Sequence, residues 1–177
     1  QHPRQRTFTQ SSKLQDVLYE IRGPVHDHAS RLEAEGHRIL KLNIGNPAPF
    51  GFEAPDVIMR DMIQALPYAQ GYSDSKGIQA ARRAVFTRYE LVEGFPRFDV
   101  DDVYLGNGVS ELITMTLQAL LDNGDQVLIP APDYPLWTAS TSLAGGTPVH
   151  YMCDETQGWQ PDIADLEAKI TDRTKAL

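Results

Sequence analysis

The sequence predicts an α/β protein in which a mainly parallel sheet is covered by helices. Three observations predict it. From about residue 100 onward, short apolar runs alternate with helical spacings, as in β-α-β units. Gly106-Asn107-Gly108 stands between one such run and a long apolar helix. Pro130-Ala131-Pro132-Asp133-Tyr134-Pro135 leaves the next run as a stiff loop.

The elements follow in order. Residues 1–12 are polar and loose. Leu14, Val17, Leu18 and Ile21 recur at helical spacing and predict a short helix. Pro24 opens a second helix through about Glu35, and Gly36 stops it. Leu40, Leu42 and Ile44 alternate as a short strand, and Asn46-Pro47-Ala48-Pro49-Phe50-Gly51 is then a rigid loop. Pro55 starts a helix with Ile58, Met62, Ile63 and Leu66 turned inward. Residues 67–76 form a loop, and a helix from about Gly77 to Tyr89 carries Ile78, Ala81, Val85 and Tyr89 as its stripe. The first 75 or so residues read as an arm and cover, not as an independent domain.

Past Gly94 and Pro96 the pattern changes. Val103-Tyr104-Leu105 reads as a strand and Ser110 to Leu121 as a helix, closed by Asn123-Gly124. Val127-Leu128-Ile129 is a continuous apolar strand, and Leu136 to Ala144 a helix closed by Gly145-Gly146. Val149 and Tyr151 lie on another strand, and Ile163, Leu166 and Ile170 mark one more helix.

A chain of 177 residues can bury a core. Hydrophobic content of 41% and charged content of 23% are those of an ordinary globular protein. Sixteen basic against 24 acidic residues leave a net charge of −8, which argues against nucleic acid as a partner. No apolar run has the length of a membrane span, and no secretory leader is evident. A single cysteine, Cys153, excludes an internal disulfide, fits a cytoplasmic protein, and reads as a half-buried thiol at a strand end. The chain begins at Gln1 and finishes where an apolar run starts, so we expect a piece of a longer polypeptide.

A glycine-bearing turn that opens a helix presents unpaired N–H groups at the positive end of the helix dipole, an anion site most often used for phosphate. In an open parallel sheet, ligands bind beyond the carboxyl ends of the strands, where the 106–110 turn and the 130–135 loop would both lie. Tyr134, confined by Pro132 and Pro135, can stack on a flat heterocycle. Spacing alone leaves alternatives open. The turn could hold no ligand, and Tyr134 could simply pack under its loop. A nicotinamide-binding module is the runner-up: Glu111 breaks the third glycine of the dinucleotide fingerprint, yet Asp133 stands where a ribose-binding acid would. Trp137 reads as core packing, Glu111 as a first-turn acid favoured by the dipole, and Asp101-Asp102 as a polar lead-in to a strand. His26 and His28 point apart on a helix, so no metal site is expected there.

Four motifs, LNIGNPAPFGF, QGYSDSKGI, YLGNGVSEL and VLIPAPDYPLW, occur in this order and spacing. Together they resemble the N-terminal half of class I, fold type I aminotransferases that use pyridoxal 5′-phosphate (PLP), among them bacterial alanine and aspartate aminotransferases. The resemblance runs from about Ser11 to Leu177. It implies that residues 1–50 form the N-terminal arm and part of a small domain, and 51–177 the first part of the PLP-binding large domain. It implies that Asn107, Gly108 and Val109 hold the PLP phosphate and that Tyr134 stacks on the pyridine ring. Tyr72 would reach the partner subunit's phosphate in a homodimer, and the Gly45 backbone would meet the substrate near its α-carboxylate. Where relatives often place hydroxyl side chains, this turn reads Asn107-Gly108-Val109-Ser110. The implied reaction transfers an amino group between an amino acid (alanine first, aspartate second) and 2-oxoglutarate in the cytoplasm. A noncatalytic PLP-fold module is the other alternative.

PLP chemistry needs a Schiff-base lysine. Lys13, Lys41, Lys76, Lys169 and Lys175 all lack the family's Ser-Lys context. Four of them read as solvated surface residues and Lys76 as a helix-start charge, so the segment contributes no catalytic residue and is expected to be inactive alone.

Overall fold

The computed structural model describes residues 8–15, 17, 23–42 and 45–177. They fall into two compact units, Arg22–Leu105 and Gly106–Leu177, the latter joined by the described part of Gln1–Ile21.

In the first unit, α1 (Gly23–Ala34) matches the predicted helix and ends before Gly36. A salt bridge from Lys41 to Glu33 at 2.9 Å ties the following segment back to α1. The strand expected through Leu40 and Leu42 does not form: both side chains are exposed and their backbone joins no ladder, while Ile44 lies outside the described residues. A 3₁₀ turn, Ala48–Phe50, breaks the proline-rich loop. Behind Pro55 comes α2 (Asp56–Ala65). Its apolar face is present, but Ile58, Met62, Ile63 and Leu66 are each at least half exposed, not inward. A helical period defines a face without supplying its cover.

The next helix, α3 (Gln79–Glu90), buries an arginine. Arg82 is 4% exposed. Its Nε donates to the Val103 carbonyl at 3.0 Å. One terminal nitrogen donates to the Val100 carbonyl at 2.8 Å and to Asp101 Oδ1 at 2.7 Å. A planar guanidinium suits such a fork of acceptors, and burial is tolerable because Nε and one terminal nitrogen together make three hydrogen bonds. Asp99 and Asp102 form a reciprocal capping box around the 3₁₀ turn Val100–Asp102. At the expected strand Val103–Leu105, Val103 is extended but the segment joins no sheet. The Val103 carbonyl is taken by Arg82, and the Leu105 N–H donates to the Lys76 carbonyl at 2.9 Å. At the far end of α3, Phe86, Tyr89, Phe95 and Phe98 pack ring against ring, with neighbouring centroids 4.7–5.5 Å apart.

The second unit holds the sheet. Its elements are α4 (Val109–Leu120), β1 (Gln126–Ala131), α5 (Leu136–Leu143), β2 (Thr147–Asp154), β3 (Gln160–Pro161), α6 (Ile163–Lys169) and β4 (Thr174–Ala176). The strand order is β3-β2-β1-β4. β1 runs parallel to both neighbours, with Leu128 opposite Val149 and Ile129 opposite His150, while two-residue β3 is antiparallel to β2. The sheet is therefore mainly parallel, as predicted, with a short antiparallel edge. β1 sits between two strands and beneath helices, which is why Val127-Leu128-Ile129 is buried throughout. Ile113 and Leu117 from α4 and Leu121, its C-cap, close on Val127 and Ile129, with Leu136, Ala144 and Ala176 at the margin.

Polar contacts finish this unit. Lys169 Nζ donates at 2.7 Å to the His150 carbonyl and to Asp165, whose carboxylate also accepts the Met152 N–H at 2.8 Å. Lys169 is thus a half-buried clip between α6 and β2 rather than a solvated surface residue. Cys153 is half-buried near the end of β2, as expected. The helix expected over Leu14–Ile21 begins as a 3₁₀ turn, Ser12–Leu14, lying against α5; Val17 is not helical, and Leu18 and Ile21 lie outside the described residues. No helix among the described residues is long and apolar enough to cross a membrane.

Candidate functional site

The turn at 106–110 is built for close approach. Gly108 is the N-cap of α4 with φ +83°, a conformation that favours glycine. Gly106 is pressed against the helix it precedes: an added Cβ would meet Leu112 Cδ2 at 2.7 Å and Glu111 Oε2 at 3.3 Å. No side chain caps α4 at Gly108, so the N–H groups of its first turn have no intrahelical acceptor and lie at the positive end of a 12-residue helix. Glu111 reaches back and accepts the Asn107 N–H. The first-turn acid therefore shapes the turn, and the donors it leaves for an anion are the N–H groups of Gly108 and Val109. Ser110 adds a hydroxyl beside them, while its carbonyl accepts from Thr114 Oγ1 at 3.0 Å.

The 130–135 loop belongs to the same unit. It leaves the end of β1, contains a cis Ala131–Pro132 peptide, and runs into α5. Tyr134 is half exposed. Asp133 Oδ2 accepts the Thr138 hydroxyl at 3.3 Å, and Thr138 Oγ1 is 2.9 Å from His150 Nε2. That engagement weakens the reading of Asp133 as a ribose-binding acid. α4 packs against α5, and the hydroxyls of Thr114, mid-way along α4, and Ser140, in the second half of α5, approach to 3.5 Å. Trp137, expected in the core, is instead 39% exposed in the first turn of α5.

Gly45 and Tyr72 belong to the Arg22–Leu105 unit, and both are exposed. An added Cβ at Gly45 would meet nothing. Lys76 is engaged: its Nζ donates to the Asp101 carbonyl at 2.6 Å and lies 5.0 Å from the centroid of the Tyr104 ring. His28 Nδ1 lies 3.3 Å from an Arg31 nitrogen. No group of three metal-ligating side chains occurs among the described residues. A cleft of about 430 Å³ lined by Phe86, Phe95, Phe98 and Arg97 contains none of the sequence-predicted site residues.

Sequence reasoning missed two features. Arg82 lies four residues after Ile78 and three before Val85, within the apolar stripe of α3, so its position was the available signal. The Asp133–Thr138–His150 chain joins residues of three separate elements, and no local pattern announces it.

The chemistry present fits a phosphorylated planar cofactor: backbone donors without an intruding side chain at Gly108, a hydroxyl at Ser110, and an accessible ring at Tyr134. Solved aminotransferases share this arrangement of sheet and turn, which places the chain in the class of PLP-fold transferases. Residues 37–177 match the family model for aminotransferase class I and II, and the chain belongs to that family. It is 91% identical to an alanine aminotransferase of Mycobacterium tuberculosis over 99% of its own length and 41% of that protein. It is 59% identical to the glutamate-pyruvate aminotransferase AlaA of Escherichia coli, over 94% of this chain and 41% of the relative. Among solved structures, an aminotransferase from Escherichia coli superposes with a TM-score of 0.86 at 58% identity, covering 96% of this chain and 42% of that one. An alanine aminotransferase from Pyrococcus furiosus gives 0.85 at 38% identity, covering 94% and 42%. The chain thus spans about two fifths of the length of the relatives it matches.

Proposed function

We propose that this chain is the N-terminal part of a PLP-dependent transaminase that moves an amino group between alanine and 2-oxoglutarate, with aspartate as the second candidate donor. The observation that carries this reading is the uncapped, glycine-opened start of α4 in a chain 91% identical to an alanine aminotransferase. When bound, PLP supplies the electron sink for chemistry at the amino-acid α-carbon. This chain's part is to bind and orient it. Gly108 and Val109 donate N–H groups to the phosphate, Asn107 holds the shape of the turn through Glu111, and Tyr134 supplies the stacking face. Tyr72 serves the partner's phosphate in a cytoplasmic homodimer, and Gly45 leaves room for the substrate carboxylate. Residues 1–50 act as arm and part of a small domain, and 51–177 begin the large domain. No lysine here has a Schiff-base context, so that residue is supplied by sequence beyond this segment.

The test is spectroscopic. The full-length protein should carry a visible PLP band that bleaches on adding alanine and less readily on adding aspartate. A nicotinamide enzyme would lack the band, and a noncatalytic PLP-fold module would keep it unchanged. The 177-residue segment, given alanine, 2-oxoglutarate and PLP, should turn over no faster than free PLP.

A further inference from the structure

We propose that Thr138 is a positioning residue for the Tyr134 loop, its hydroxyl bridging His150 on β2 to Asp133 beside the ring. The proposal rests on the reading of Tyr134 as the stacking face for PLP and adds the device that fixes it.

The hydrogen-bond inventory gives the bridge a direction. An aspartate carboxylate only accepts, so the single Thr138 proton goes to Asp133 Oδ2. The Thr138 oxygen must then accept from His150, which requires the proton on Nε2. The chain therefore runs from His150 Nε2–H to the Thr138 hydroxyl to the Asp133 carboxylate. All three residues are half-buried, where such bonds are less open to exchange with water.

Its anchor is rigid. His150 lies in register with Ile129, one of the most buried residues of the sheet, and its carbonyl holds Lys169 at 2.7 Å. Asp133 is at the opposite extreme, in a loop between β1 and α5. Thr138 sits in the first turn of α5 and transmits the fixed position of β2 to the residue adjoining Tyr134. A stacking ring contributes only when its plane matches that of the heterocycle, so the loop's placement matters as much as the ring's presence.

The experiment compares wild type, Thr138→Val and Thr138→Ser in the full-length protein. Hydrogen exchange of residues 131–138 is measured without PLP. The visible circular dichroism of bound PLP and its dissociation constant are measured with PLP. Thr138→Val should speed exchange in the loop, weaken PLP by about fivefold, the scale of one lost hydrogen bond, and alter the dichroic band. Thr138→Ser should restore all three. Unchanged loop exchange in Thr138→Val overturns the proposal, whatever PLP does. Faster exchange with unaltered dichroism and affinity also overturns it, leaving Thr138 a purely structural residue. A wild type that binds no PLP, with loop exchange still dependent on Thr138, overturns the cofactor reading while the loop-fixing bridge stands.

Discussion

The interior of Gly106–Leu177 is mainly apolar, with Ser140 and Thr141 its buried polar side chains among the described residues, whereas that of Arg22–Leu105 is organised around a cation. In the former, Ile113, Leu117, Leu121, Val127, Leu128, Ile129, Ala139 and Tyr151 are buried. In the latter, the buried side chains among the described residues are Val103 and Arg82. One unit is held mainly by area removed from water, the other by directed bonds to particular carbonyls. Apolar burial tolerates small shifts of partner atoms, while a guanidinium fork does not. The Arg22–Leu105 unit should therefore open locally and more readily, with its exchange tied to one side chain.

The largest expected effect is Leu117→Ala. Truncating a 3%-exposed leucine in the α4–β1 core should cost about 3 kcal/mol in denaturant unfolding, with exchange rising throughout Gly106–Leu177. Arg82→Met comes next. It leaves the Val100 and Val103 carbonyls without their donor and should cost about 2 kcal/mol, with the added exchange confined to Arg22–Leu105. If either variant loosens both units equally, the contrast between them fails. Thr141→Val should act in the opposite direction. Thr141 is fully buried and its hydroxyl has no hydrogen-bond partner among the described residues, so removing it should stabilise the sheet unit by about 1 kcal/mol, read from the shift in denaturation midpoint.

The smallest effect is that of acid. The Arg82 hydrogen bond, helped by Lys76, holds the Asp101 carboxyl below its ordinary value of 3.8. In the other unit, the Lys169 hydrogen bond and the Met152 N–H do the same for Asp165. A carboxyl lowered on folding stabilises the native state above its unfolded value, and that contribution is lost as pH falls through the folded one. Protection of the amides of residues 100–105, exchange measured against the intrinsic rate at each pH, should therefore fall as pH drops below 3.8, and Asp101→Asn should remove that dependence. Asp165→Asn should do so at β2 and α6 alone.

Much of the sheet unit was legible in the sequence because its signals are local. The buried run Val127–Ile129, the glycine-opened α4 and the spacing within α6 each needed only neighbouring residues. Strand β3 was not legible: two residues, one of them proline at an edge, carry no period. The alternation at Leu40 and Leu42 and the apolar run Val103–Leu105 were misread as strands because a strand also needs a neighbour to pair with, and neither segment has one among the described residues. The turn and the aromatic loop of the candidate site could be named from their motifs. What holds them could not, since Glu111 reaching to Asn107, and Thr138 to His150, are facts of three-dimensional proximity.

Arg82 also changes how its unit behaves as a polymer. By gripping backbone 18 and 21 residues downstream, it closes the chain into a ring much as a cystine bridge would, but one that water can reopen without any change of oxidation state. Lysine at this position would offer a single point of attachment in place of a planar fork, and the ring would become a tether. Proteases should therefore find the stretch after α3, which includes the exposed Leu91 and Val92, far more readily once that one side chain lets go.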